Sequence, residues 1–536
     1  MVASSFLSNL AAASPSYETI SQVTDGHTSL LAAVVLCATA HATWWFLRFS
    51  LLPSFHRDEP KELPYTLPLL GHLFSFFGDS NALLTRARNY FGDTREPFAL
   101  TIAGMKTYVL TRAEDVAEAY RNVKTLSYEE FVQAMMRILG NSELSVKAMF
   151  TPLPKDKSGF PNPHGKSLGI LFREMHIHQL FPGKHLDFLE DRFHEYFDEH
   201  LHLEKLNEGC HYALEKTAGS IVVPLTQWCS DYFVRGGQHA YFGPRLADID
   251  TGLTDAFIVF DELSYQVIYQ YPSFLAKEMR TSRDRILQGF RKYLQVPKEE
   301  RVGDAWFVKA MEDELRAVGM NDEDMAIATL TIYWAINTNS RKASYWLLAY
   351  LLQTPGLIDI ARKETAPAFR PDGTVDLDYL HSSLPQVDAM WSEMLRMSAF
   401  AASVRFITDD TVIGGKTLKK DKRLIIPYRQ LHMDQRVFGE DIDQFRHERF
   451  LENPRLASGN NFRPFGGGAT MCPGRHIAKR GVIVFVAMVL NRFDIELDGE
   501  DQPMLEADLK KPVPGLMSPK VGADLRVRLT PRKAST

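Results

Sequence analysis

The sequence predicts a mainly α protein with small β-sheets, preceded by a single N-terminal transmembrane helix, and three observations carry that prediction. The chain has 536 residues, 45% of them hydrophobic, which is ample apolar material for a large core. Apolar residues recur at three- and four-residue steps through most of the body, the period of an amphipathic helix. Near the start, Thr28 to Leu47 (TSLLAAVVLCATAHATWWFL) is a run of 20 residues without a formal charge, enough to cross a bilayer. The net charge of -5 and the lack of any long basic run exclude a nucleic-acid partner. Four cysteines (Cys37, Cys210, Cys229, Cys472) without a CxxC pair indicate neither a zinc site nor a disulfide framework, and so a reduced compartment.

Taken in order, residues 1–27 read as a lumenal segment, 28–52 as the anchor, 53–75 as a proline-rich hinge and 76–536 as one domain. Trp44 and Trp45 sit where interfacial aromatics are common; Arg48, Arg57 and Lys61 follow the run, and no Lys or Arg precedes it. The positive-inside rule then places the large body in the cytosol. A cleaved signal peptide would carry a basic start and a shorter apolar stretch, and a buried core helix is the remaining alternative. Pro60, Pro64, Pro68 and Gly71 make the hinge a stiff, extended connector. Phe98 to Thr111 alternates around a glycine, as a hairpin does. "DFLEDRFHEYFDEHL" sets Leu189, Phe193, Tyr196 and Phe197 on one helix face, and Asp322 to Gln353 predicts a long helix ended by Pro355. "SLPQVDAMWSEMLRM" predicts another, with Ser383 as cap and Pro385 in its first turn. "SVRFIT" and "RLIIPY" read as strands, and the last helix starts near Gly474 and runs through "HIAKRGVIVFVAMVLNRF".

Between those strands and that helix lies "NFRPFGGGATMCPGRHIAKR", in which Phe465, Gly468, Cys472 and Gly474 form the pattern FxxGxxxCxG. With this composition, chance supplies roughly one such match per thousand chains, so the pattern is specific. Glycines let a loop approach a flat ligand closely, and a thiolate just before a helix gains from N–H donors and the positive end of the dipole. Those donors also keep the sulfur in the form that binds metal. A lone buried cysteine would explain Cys472 but not the loop around it.

On these residues the chain resembles the cytochrome P-450 family of haem-thiolate enzymes. The resemblance implies a haem-thiolate catalytic domain over 76–536 holding haem (heme b), with Cys472 as axial iron ligand, Phe465 packed beside it, and Gly468 and Gly474 permitting close approach. Thiolate donation favours O–O cleavage in such enzymes. Arg or His often stands two residues before the cysteine to contact a haem propionate; here that residue is Thr470, and Arg405 matches another position with that role. Glu393 and Arg396 (ExxR) with Arg449 match a buried brace for the cysteine loop, structural rather than catalytic.

In the central helix "LTIYWAINTNSRKASYWLL", alignment on Ala335 and Trp346 puts Ile336, Thr338 and Asn339 where the family has glycine, acid and threonine. The acid–alcohol pair that delivers protons is therefore missing. Asn339 takes the catalytic position as hydrogen-bond donor and acceptor, though it is a poor acid; a core amide at a helix distortion is the plain alternative. This W-A-x-x-x-N arrangement, "RMSAFAASVRF" and "GGGATMCPGR" resemble the branch containing sterol 7α- and 12α-hydroxylases and prostacyclin synthase.

The implied activity is a membrane-anchored monooxygenase in the endoplasmic reticulum, hydroxylating a sterol, terpenoid or other lipophilic secondary metabolite with O2 and electrons from an NADPH-dependent reductase. The alternatives are a reductase-independent isomerase or dehydratase of a peroxide and, more remotely, a haem sensor or carrier. Arg475, Lys479 and Arg480 are candidate docking cations for the reductase, with a solvated helix face as the plain alternative. "QAMMRILG" and "DAFIVFDELSYQVIYQYPSF" are apolar and aromatic enough to line a pocket for a greasy ligand.

Overall fold

A helix whose sides are all apolar gains nothing by standing in water, and the N-terminal helix has that character from Leu30 onward. The computed structural model describes residues 17–382 and 384–532, with side chains from Leu30 onward. Ser383, the expected cap, and residues 1–16 of the expected lumenal segment lie outside the described residues. Helix Tyr17–Phe46 continues through a π turn, Leu47–Leu51, into Leu52–Phe55. The Leu52 N–H reaches back five residues to the Leu47 carbonyl. A wide turn suits this position because Pro53 has no N–H with which to continue the ladder. Leu30–Phe55 is long and apolar enough to cross a membrane, and none of it is buried against the body.

The segment expected as a bare connector is docked onto the body. Lys61–Glu62 pairs in parallel with Phe98–Ala99, and the Leu63 N–H donates to Ala99 O at 2.9 Å. Glu62 accepts from Arg48 at 2.5 Å and from the Thr101 hydroxyl. The Tyr65 ring lies 5.8 Å from that of Trp44 and 5.5 Å from that of His72. The prolines keep this stretch extended, and the sheet edge and these side chains fix where it runs.

The hairpin is Phe98–Ile102 and Met105–Val109, turned by Ala103 and Gly104 at φ 50° and 77°. Two left-handed residues are what a two-residue hairpin loop demands. It belongs to a six-stranded sheet in the order 61–62, 98–102, 105–109, 423–427, 402–407, 126–127. A second sheet orders 493–497, 526–531, 221–224 and 215–216, and a third pairs 411–413 with 416–418.

Helices form the rest. Lys184–His200 buries Leu189, Phe193, Tyr196 and Phe197, as their spacing requires. Leu225–Phe242, Ser340–Gln353 and Arg475–Arg492 pack through the main core. The long helix expected over 322–353 is interrupted: Asp322–Asn337 and Ser340–Gln353 meet at Thr338 and Asn339. Both residues keep right-handed helical dihedrals, so the chain direction carries through the interruption.

Candidate active site: the cysteine loop and the interrupted helix

Helix Arg475–Arg492 has Gly474 as its N-cap, which sets Cys472 two residues before the cap. The loop closes where the Cys472 N–H donates to Phe465 O at 2.9 Å. Gly466 (φ 76°) and Gly468 (φ 57°) are left-handed, which favours glycine. A Cβ on Gly468 would lie 3.0 Å from the Tyr120 carbonyl oxygen, and one on Gly467 would lie 3.0 Å from the Tyr120 ring. These two glycines thus admit the end of helix Ala113–Arg121 against the loop. At Gly474 an added Cβ would sit 3.7 Å from the Cys472 Sγ, an ordinary contact, so space alone does not demand glycine there.

Cys472 is accessible, but into a recess. Burial pushes its thiol pKa up, while the Gly474 amide, the Arg475 charge and the Arg475 amide pull it back. Tyr128 shares the recess: it is exposed, yet burial raises its hydroxyl pKa, and the charges of Arg405 and Cys472 act on it. Arg405 lies buried in strand Ala402–Ile407. Its guanidinium donates to Thr470 Oγ1 at 2.6 Å, to Ser403 Oγ at 2.6 Å and to Val404 O at 2.9 Å, and stands 4.7 Å over the Tyr128 ring. Arg405 therefore reaches the cysteine loop through Thr470, the residue that replaces the usual Arg or His.

Behind the loop, Arg396 donates to both Glu393 oxygens at 2.8 Å and Arg449 donates to Glu393 Oε1 at 3.0 Å, all three side chains being buried. The Ile442 carbonyl and the Arg446 N–H supply further hydrogen bonds, as a buried charge cluster needs. The connection onward to the cysteine loop runs through a residue the sequence did not single out. His432 Nε2 accepts from the Arg463 N–H at 2.9 Å, and the His432 carbonyl accepts from Arg396 at 3.3 Å. Burial and the charges of Arg396 and Arg429 push the His432 pKa down to about 3, so its ring is neutral and can accept. A histidine at the end of a five-residue helix, Tyr428–His432, carries no periodic signal, which is why it escaped notice.

The helix Asp322–Asn337 is mostly buried, yet Ala328, Thr331, Ile332, Ala335, Ile336 and Asn339 remain partly or fully accessible. Steps of three and four place them on one face. Thr338 points elsewhere: its hydroxyl donates to Asp261 Oδ1 at 2.5 Å, beside Trp334 Nε1 at 2.7 Å. Arg341 grips Asp261 Oδ2 through two nitrogens, and Lys342 Nζ stands 3.3 Å from the same oxygen. Burial alone would raise the Asp261 pKa, but Lys342, Arg341 and the Thr338 hydrogen bond outweigh it and hold the carboxyl far below its usual range. Asn339 faces a different partner, accepting from the Leu516 N–H at 2.9 Å.

The candidate docking cations are engaged within the chain. Lys479 pairs with Asp388 at 2.7 Å, Arg480 with Asp187 and Glu190 at 3.2 and 3.0 Å, and Arg475 lies 4.8 Å over the Phe181 ring.

The residues present fit a flat prosthetic group with a soft axial ligand. A sulfur faces a recess, amides behind it favour its anionic form, a buried guanidinium lies on one wall, and the central helix presents an accessible, largely apolar face. A family model described as Cytochrome P450 matches residues 247–526, more than half of the chain. Cytochrome P450 monooxygenase poxD of Penicillium oxalicum is 26% identical over 489 residues, covering 89% of this chain and 95% of that protein. Cytochrome P450 monooxygenase nodJ of Hypoxylon pulicicidum is 23% identical, covering 87% of this chain and 88% of that one. Cytochrome P450 7A1 of Sus scrofa is 24% identical over 298 residues, 51% of this chain and 58% of its own, in keeping with the sterol-hydroxylase branch. The chain belongs to the cytochrome P450 family and is an enzyme of its monooxygenase class.

Proposed function

We propose that this enzyme is a membrane-anchored haem-thiolate monooxygenase that hydroxylates a lipophilic metabolite such as a sterol or terpenoid, with Cys472 as the axial ligand. The observation that carries the reading is the Cys472 sulfur, facing the recess from a loop closed by its own amide and capped by Gly474. The bound haem would supply oxygen activation, which thiolate donation assists. The chain's own groups do the holding. The Gly474 and Arg475 amides keep electron density on the sulfur in check, Phe465 packs beside it, and Arg405 offers a charge for a propionate while anchored on Thr470. The accessible face from Ala328 to Ile336 would hold an apolar substrate away from water.

The helix through Phe55 supports the membrane reading, as does a patch of apolar residues exposed close by in the chain: Leu67, Leu69 and Phe74. Phe274 and Leu275 add to it, because Tyr269 packs on Phe77 at 4.3 Å and so brings the two segments together. The charges after the span support a body facing the cytosol, and the endoplasmic reticulum is the membrane this reading assigns. A separate NADPH-dependent reductase is the electron source in this reading. One relative, from Gibberella moniliformis, is named a bifunctional cytochrome P450/NADPH–P450 reductase; it is 25% identical, and the match covers 40% of its length.

Purified wild-type protein should show the red-shifted absorbance of a thiolate-ligated ferrous carbon-monoxide complex, and Cys472→Ser should lose it. Retention of that spectrum by the variant would move the ligand elsewhere. A specific observation keeps the peroxide isomerase as second reading: the Thr338 hydroxyl and the Asn339 Oδ1 are both committed to protein partners. Turnover of a hydroperoxide without reductase would select that reading, whereas NADPH-dependent product formation selects the first.

A further inference from the structure

Three stretches that mark the sterol-hydroxylase-like branch lie far apart in the sequence, and the structure ties two of them to a single loop, Gly515–Ser518. Asn339 Oδ1 accepts from the Leu516 N–H at 2.9 Å, and Trp346 Nε1 donates to Met517 O at 2.8 Å. From "RMSAFAASVRF", the Phe400 and Ala401 N–H groups donate to Gly515 O at 2.9 and 3.0 Å, and Ser398 O accepts from the Met517 N–H at 3.0 Å. Ser518 Oγ then donates to both oxygens of Glu262, which also pairs with Arg341 at 2.6 Å. Gly515 is pressed so tightly on Asn339 that an added Cβ would lie 1.8 Å from Oδ1. Asn339 is also the last residue of the accessible face of the central helix, so the loop meets that face at this side chain.

We propose that Asn339 is a positioning residue that clamps the Gly515–Ser518 loop against the end of the accessible helix face, so that the loop sets how large a ligand the site admits. The inference rests on the haem-thiolate reading for the identity of the site, though the clamp itself does not depend on it. An asparagine suits the task because its carbonyl is an uncharged acceptor pointed at a backbone N–H, and leaving that N–H without a partner would be costly. A threonine at this position would end one atom short of that reach.

The test combines hydrogen exchange with ligand binding on the haem-loaded full chain. Asn339→Ala should speed exchange at the Leu516 amide by about tenfold. It should also tighten the spectral Kd of a bulky arylimidazole about fivefold, while that of imidazole stays within about twofold. Asn339→Asp keeps the acceptor oxygen and gives up the amide hydrogens, and should protect Leu516 as wild type does. Gly515→Ala attacks the contact from the other side and should reproduce the Asn339→Ala behaviour, with the carbon-monoxide spectrum reporting that each variant is folded. Unchanged Leu516 exchange in Asn339→Ala overturns the proposal, and so does loss of protection in Asn339→Asp. Wild-type protein lacking the thiolate spectrum would sink the haem reading instead, and the exchange rates at Leu516 would still decide the clamp.

Discussion

Two buried carboxylates organise the two sides of this site, and they are built differently. On the cysteine side, Glu393 holds two arginines, and those arginines spend most of their remaining hydrogens on backbone carbonyls of the segment leading to the loop, Ile442 and Phe438 among them, while Arg449 also pairs with the partly exposed Asp441 at 3.2 Å. On the other side, Asp261 reaches over from helix Leu253–Leu263 and collects Thr338, Trp334, Arg341 and Lys342, all from the neighbourhood of the helix interruption. With Glu262, that cluster holds two acids and two bases, so no net charge is buried. The first brace shapes backbone through carbonyls. The second fixes side chains of one helix to another. The interruption at Thr338 and Asn339 is thus pinned from a neighbouring helix, through the Thr338 hydroxyl on Asp261.

Substitutions can break that contrast. Glu393→Gln should be the most damaging, since Arg396 loses its charge partner in a fully buried place and Arg449 keeps only the partly exposed Asp441; a cost of about 3–5 kcal/mol is expected. The check is the yield of haem-loaded protein and its denaturant midpoint. Asp261→Asn strands Lys342 and leaves Arg341 with Glu262 alone, and should cost about 3 kcal/mol, with part recovered when Arg341→Met is added. The matching double change, Glu393→Gln with Arg396→Met, should recover nothing, because Arg396 also holds the carbonyls of His432 and Ile442. Equal recovery on both sides would erase the distinction drawn here.

Acid sharpens it further. His432 titrates near 6.5 when unfolded and is held down to about 3 in the fold, so its contribution is intact above pH 6.5 and is lost as pH falls toward 3. Over that window stability should drop by about 1.4 kcal/mol per pH unit for this group. His432→Gln, which keeps an acceptor for the Arg463 N–H, should flatten the slope by that amount in melts at pH 4 to 6. Asp261, whose carboxyl is held far below its ordinary value, should keep its contribution through that range and lose it only in stronger acid. The smallest effect belongs to the surface: Lys479→Ala gives up a half-exposed pair with Asp388, worth about 0–1 kcal/mol. If Lys479 also docks a reductase, reductase-driven turnover should slow while ligand binding holds.

Much of the cysteine side was legible because its demands are local. A tight loop, a soft ligand and a helix start fix residue types at short, constant spacing, and Phe465, Gly468, Cys472 and Gly474 could be read together. The membrane-length apolar helix, the hairpin and the buried face of Lys184–His200 were legible for the same reason, a period or a run within one segment. The docking of the hinge, the pairing of Lys479 and Arg480, and the partners of the glycines were not. Tyr120, His432 and Asp261 each act on a distant segment, across 31 residues from His432 to Arg463 and 77 from Asp261 to Thr338.

The sequence by itself determined the helical class, the membrane-length run and the cysteine loop, since each follows from neighbours a few residues apart. It also marked Asn339 as a departure from the usual pattern, placed by alignment on Trp346, without saying what either does. Only the tertiary structure decided that, because a hydrogen bond belongs to two atoms brought within 3 Å by folding, and nothing in the order of residues records which strand, loop or helix supplies the second.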